Sequence, residues 1–124
     1  MPLSASDAIT TSVERGNDYS VLAVGGVVDL ATAAALEQAI DGLIAESPPA
    51  LIVDLSAVDF LASVGLKILV ATQEQLKPPV QFAVVASGPA TSRPIQLTRL
   101  DEVFGLYPTL TEAVKAVQNN VSEG

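Results

Sequence analysis

The chain has 124 residues, nearly half of them apolar, and a net charge of −8 with only six basic residues. It has no cysteine and no histidine, which excludes disulfides, thiolate chemistry, zinc ribbons and histidine acid–base catalysis. The acidic balance leaves no basic surface for nucleic acid, and no apolar run approaches the roughly 20 residues of a membrane span. The length suits one domain with a sizeable core. Met1 to Ala8 is small and polar, lacks the basic start and apolar block of a secretory signal, and is expected to be flexible. Ile9 to Glu14 alternates in part and precedes the turn cluster Arg15-Gly16-Asn17-Asp18. Tyr19 to Val28 is valine-rich and reads as a strand, so the two segments predict an antiparallel hairpin. Gly25-Gly26 marks a bulge or a close backbone approach.

Asp29 ends that strand. Ala33, Leu36, Ile40, Leu43 and Ile44 then follow helical spacing, with Glu37, Gln38, Asp41 and Glu46 on the opposite side. Ser47-Pro48-Pro49 stops the helix. Ala50 to Leu55 is continuously apolar, as expected of a central parallel strand covered on both faces. Asp54 to Asp59 is polar and turn-like. A helix follows from Ser63 to Leu76. At about 100° per residue, Gly65, Ile68, Leu69, Thr72 and Leu76 form its core face, and Lys67, Gln73, Glu74 and Lys77 its polar face. Leu66 and Val70 fall among those polar residues and read as a partner surface, against the alternative of ordinary single exposed apolar residues.

Pro78-Pro79 ends this helix, and Val80 to Ala86 is the next apolar strand. After the loop Ser87-Gly88-Pro89, a short helix is expected from Ser92 to Leu100, with Pro94 tolerated near its start. Val103 to Tyr107 supplies a last short strand. Thr109-x-x-Glu112 is a capping box, and Leu110, Ala113, Val114, Val117 and Val121 form the apolar stripe of the final helix. Residues 122–124 are expected to be loose. Two strands followed by helix–strand repeats predict an α/β sheet with helical crossovers.

Four carboxylates, Asp29, Asp54, Asp59 and Asp101, invite an enzymatic reading, but the rest of the chain argues against it. There is no Asp-x-Asp-x-Asp-Gly loop for a cation and no Gly-x-x-x-x-Gly-Lys loop for a nucleotide. A nucleophilic Ser63 lacks a histidine base, and Gly-x-Ser-x-Gly is absent. No catalytic residue, metal or cofactor is expected. Ser63 sits where a strand–loop–helix unit enters its helix. A hydroxyl there either caps the free N–H groups or offers a place where a phosphate is stabilised. Asp29 and Ser63 both follow the carboxyl ends of strands, where ligand sites form in α/β sheets, so the two are expected close together. Asp29 is read either as part of that site or as a helix cap.

The pattern Asp54-Leu55-Ser56, Phe60, Ser63, Gly65-Leu66, together with Gly26-Val27-Val28-Asp29, resembles the signature of STAS-domain anti-sigma factor antagonists. The resemblance covers nearly the whole chain. It implies a single STAS domain over residues 1–124: a mixed, mostly parallel sheet of about five strands with an antiparallel N-terminal edge, flanked by about four helices. It implies a bacterial, cytoplasmic regulator of stress transcription. Such a protein binds an anti-sigma factor that is also a serine kinase, so that the sigma factor is freed. Phosphorylation of the serine matching Ser63 ends the binding, and a serine phosphatase reverses it. The partner-binding residues implied are Asp29, Ala62, Ser63, Val64, Leu66, Lys67 and Val70. The family often has Asp before the serine and Ser or Thr after it; Ala62 and Val64 stand there in this chain. The alternative carried beside this is a STAS-type sensor or scaffold that binds a small ligand or joins a larger stress-signalling assembly.

Overall fold

The structure is a computed structural model that describes residues 8–123, with the side chains of 8–118. The elements run β1 (Ile9–Arg15), β2 (Ser20–Val28), α1 (Ala33–Ala45), β3 (Ala50–Leu61), α2 (Ser63–Gln75), β4 (Gln81–Val85), α3 (Ser92–Leu97), a 3-10 turn (Leu100–Glu102), β5 (Gly105–Tyr107) and α4 (Leu110–Glu123). The expected flexible residues at the N-terminus lie outside the described part except for Ala8. Of 122–124, Ser122 and Glu123 belong to the backbone of α4.

The five strands form one sheet in the order β1-β2-β3-β4-β5. β1 pairs with β2 antiparallel, and the other neighbours are parallel. This is the mixed sheet with an antiparallel N-terminal edge that the sequence predicts. Successive side chains of a strand point to opposite faces, and both faces are covered. Leu22, Leu51, Val53 and Val84 join Leu36, Ile40 and Leu43 of α1 and Leu69 of α2 in the larger core. Their strand neighbours Val21, Ile52, Ala83 and Val85 meet Ala113 and Val117 of α4 on the other side. That double burial is why β3 and β4 read as continuous apolar runs. Ile95 of α3 and Phe104 close the larger core, with Phe104 edge-on to Phe82 at 5.7 Å between ring centroids.

Three expectations are corrected. β3 does not turn at Asp54 but continues to Leu61. Its register against β2 slips twice, between Ala23 and Gly25 and between Gly26 and Val27, so that β3 carries one extra residue at each place. These bulges hold the polar residues that looked like a turn: Ser56 at the first, bonded to Asp54 Oδ1 through its N–H (2.9 Å) and its hydroxyl (2.5 Å), and Asp59 at the second. The short helix ends at Leu97, not Leu100, because Arg99 turns into the left-handed region (φ 61°) and a separate 3-10 turn follows. Leu66 is buried, not surface. The close approach expected at Gly25-Gly26 is present: Gly26 has φ +86°, and a Cβ there would lie 2.3 Å from the Ala8 carbonyl oxygen.

Candidate functional site

The carboxyl ends of β2 and β3 meet at one end of the sheet, where the Ala62 N–H donates to the Val28 carbonyl at 2.8 Å. The two chains then diverge into α1 and α2. On the β2 side, a tight turn fixes Asp29. Its Oδ1 accepts from the N–H groups of Ala31 (2.9 Å) and Thr32 (3.2 Å), and its own N–H donates to Thr32 Oγ1 (3.0 Å). Thr32 is buried, and its hydroxyl donates to the Val27 carbonyl at 2.9 Å. Asp29 therefore closes the turn that leads into α1. It does not cap α1, whose cap position is Thr32, and it lies half-buried at the rim of the site.

On the β3 side, Ala62 and not Ser63 occupies the cap position of α2, in extended conformation and without a side-chain cap. Ser63 is the first helical residue. It is exposed, and its hydroxyl has no hydrogen-bond partner among the described residues. The helical bonding starts at Gly65, whose N–H donates to the Ala62 carbonyl at 2.9 Å. The N–H groups of Ser63 and Val64 are left open, and no acidic side chain stands in the first turn. Of the two readings of Ser63, the cap is thereby ruled out, and its hydroxyl is left exposed and unbonded among the described residues.

Between the two turns lies an open depression of about 540 Å³ lined by Asp29, Leu30, Ala31, Ala62, Ser63, Val64 and Lys67. The structure thus brings together five of the seven predicted partner residues. Leu66 and Val70 line a second groove, of about 360 Å³, between α2 and the segment after α3, together with Ala71, Glu74, Thr98 and Leu100. Ser63 and Lys67 border both. Lys67 is exposed and makes no ion pair among the described residues. Leu30 was missed from sequence. It is 84% exposed at the rim of the first depression, and its signal was only its place after the strand-ending Asp29. Asp54, Asp59 and Asp101 line neither hollow, and no group of three acidic, cysteine or histidine side chains suited to a metal exists among the described residues.

A family model described as STAS domain matches residues 10–113. The anti-sigma-F factor antagonist RsfB of Mycobacterium tuberculosis is 53% identical over 116 residues, which cover 94% of this chain and 95% of that protein. The crystal structure of an anti-sigma factor antagonist from Mycobacterium paratuberculosis superposes with a TM-score of 0.88 at 60% identity, over 94% of this chain and 99% of that one. The anti-sigma factor antagonist SpoIIAA in its unphosphorylated form shares the fold, with a TM-score of 0.72 at 16% identity over 89% of this chain and 97% of its own.

Proposed function

The chain belongs to the STAS domain family, among the anti-sigma factor antagonists, and we propose that it binds an anti-sigma factor of the serine-kinase type and so frees a sigma factor for transcription. The contact is made through the rim around Ser63, by Asp29, Leu30, Ala62, Val64 and Lys67, with Val70 alongside. Unmodified Ser63 is the binding-competent state. The kinase ends the contact by phosphorylating Ser63, and a serine phosphatase restores it in the bacterial cytoplasm. The reading is of a protein that acts by binding and not by catalysis.

The observation that carries this reading is the exposed, unbonded hydroxyl of Ser63 beside an exposed Leu30. A phosphate adds about −1.5 to −2 charges. Within the chain, the open N–H groups of the first turn of α2 accommodate it. Across an interface the same charge must be desolvated beside Asp29, at a cost of several kcal/mol. The second effect dominates, and about 3 kcal/mol lowers affinity roughly a hundredfold.

The test is to incubate the chain with the purified anti-sigma-F factor of the same organism and ATP, map the phosphate, and measure affinity. Phosphate on Ser63, tight binding by the unmodified chain and by Ser63→Ala, and loss of binding by Ser63→Glu are expected. Phosphorylated chain that binds as tightly as unmodified chain overturns the switch. Absence of binding by the unmodified chain overturns the function.

A further inference from the structure

Only six basic side chains stand in a chain of net charge −8, and of these Lys67 alone lines the two hollows that meet at Ser63. The other charged groups lining them are Asp29 and Glu74, and the segment after α3 contributes only Thr98 and Leu100. The Asp29 carboxylate is taken up in its own turn, where Oδ1 accepts from the Ala31 and Thr32 N–H groups. Glu74 lies about two turns beyond Lys67. Neither forms an ion pair with Lys67. The helical neighbours of Lys67 offer no carboxylate either: Ser63 and Val64 stand four and three positions before it, Val70 and Ala71 three and four after. The other two lysines each follow a glutamate by three positions, Glu74 before Lys77 and Glu112 before Lys115. Where a helical lysine ordinarily finds its carboxylate, Lys67 finds the hydroxyl of Ser63.

The order of the two residues matters. Cα–Cβ bonds of a helix tilt towards its N-terminus, and long side chains lie back over the preceding turn. A lysine four positions after Ser63 is directed onto it, whereas the reverse order would direct it away. An anion N-terminal to a lysine at this interval is also the favoured order for a pair. We propose that Lys67 is the intramolecular partner of a phosphate on Ser63, an inference that rests on the reading of Ser63 as the phosphorylated residue. In the unmodified chain the ammonium group has no ion-pair partner among the described residues. In the phosphorylated chain it holds the phosphate against the first turn of α2. The second proton of a phosphoserine is lost near pH 6, and a cation one turn away favours the doubly charged form. Lys67 thus keeps the full charge of the switch in place at neutral pH. It is a positioning residue of the modified state.

The test uses the full chain with phosphoserine installed in place of Ser63 during synthesis, so that it depends on neither kinase nor partner. Wild type, Lys67→Gln and Lys67→Arg are compared, each with and without the phosphate. The phosphate is titrated by phosphorus NMR at low salt. Its pKa is expected to be about 0.3 lower in wild type than in Lys67→Gln, with Lys67→Arg close to wild type and the difference shrinking at high salt. The phosphate is expected to raise the unfolding midpoint more in wild type than in Lys67→Gln. That excess is present above the unfolded pKa of about 6 and is lost as pH falls through the lowered folded value. Without the phosphate, wild type and Lys67→Gln are expected to unfold alike. Titration curves that coincide in wild type and Lys67→Gln overturn the proposal, and so does an equal gain in midpoint from the phosphate in both. A chain that shows the expected difference yet fails to bind the anti-sigma-F factor upholds the pairing and removes the proposed function alone.

Discussion

Leu66→Ala is expected to lower stability by about 2–5 kcal/mol, the range for emptying a buried leucine site, as read from the denaturant midpoint. The side chain is 9% exposed and shares a core with Ile95 and Phe104. A midpoint equal to wild type would return Leu66 to the surface. Its burial was not legible because a helical wheel finds one apolar face, whereas α2 is covered both by the sheet and by the segment that follows β4. Ser63 was legible as a position but not as a state. The motif located it at the start of the helix, and a polar residue there is ordinarily a cap. Only the geometry gave the cap position to Ala62 and left the hydroxyl unbonded. Leu30 carried no periodic signal, because an exposed leucine after a strand is unremarkable in a sequence.

The helix α2 owes its position to Gly65. A Cβ at Gly65 would fall 2.5 Å from Leu61 Cδ1 and 2.8 Å from Val28 Cγ1. The glycine thus lets the first turn of α2 settle against the ends of β2 and β3, beside Asp29. Gly42, in α1, has nothing within 4 Å of the same construction. The two make a matched pair. Gly42→Ala is expected to stabilise by about 0.5–1 kcal/mol through helix propensity alone. Gly65→Ala is expected to gain nothing or to lose about 1–3 kcal/mol through overpacking against the stiff Val28. Equal gains in both, measured by urea unfolding, would show that Gly65 does not set the helix position. The core face of α2 was read correctly from its period: Gly65, Ile68, Leu69, Thr72 and Leu76 are all buried. The end of β3 was misread because bulges admit polar residues into a strand and break its alternation.

Elements far apart in sequence are joined at the surface by a two-pronged ion pair from Arg15, at the end of β1, to Glu46, after α1, with both nitrogen–oxygen distances 2.7 Å. The hydrogen bonds and charge of Arg15 hold the Glu46 carboxyl below its ordinary range. A carboxyl lowered in the folded state stabilises above its unfolded pKa and loses that contribution as pH falls through its folded one. Both groups are exposed, so the effect is small and screened by salt. Glu46→Gln is expected to lower the unfolding midpoint slightly at neutral pH and low salt, and the difference from wild type should vanish in acid. A difference that persists in acid would assign it to packing. This tie left no mark in the sequence, since its partners lie 31 positions apart. The layer order did, because alternating strands and helices with doubly apolar central strands admit few arrangements.

The two bulges of β3 have an arithmetic of their own. Leu51, Val53 and Leu55 face the larger core at odd positions, Val58 at an even one, and Leu61 at an odd one again. Each extra residue inverts which face the remaining strand presents, and the second insertion cancels the first. The parity of β3 is therefore restored just before the chain enters α2. Removing a single residue between Leu55 and Phe60 would send Leu61 outward and deliver Ser63 into the helix from the wrong side of the sheet; removing one from each bulge would not. The tolerance of this strand to deletion should alternate with the number removed, like a reading frame with a period of two.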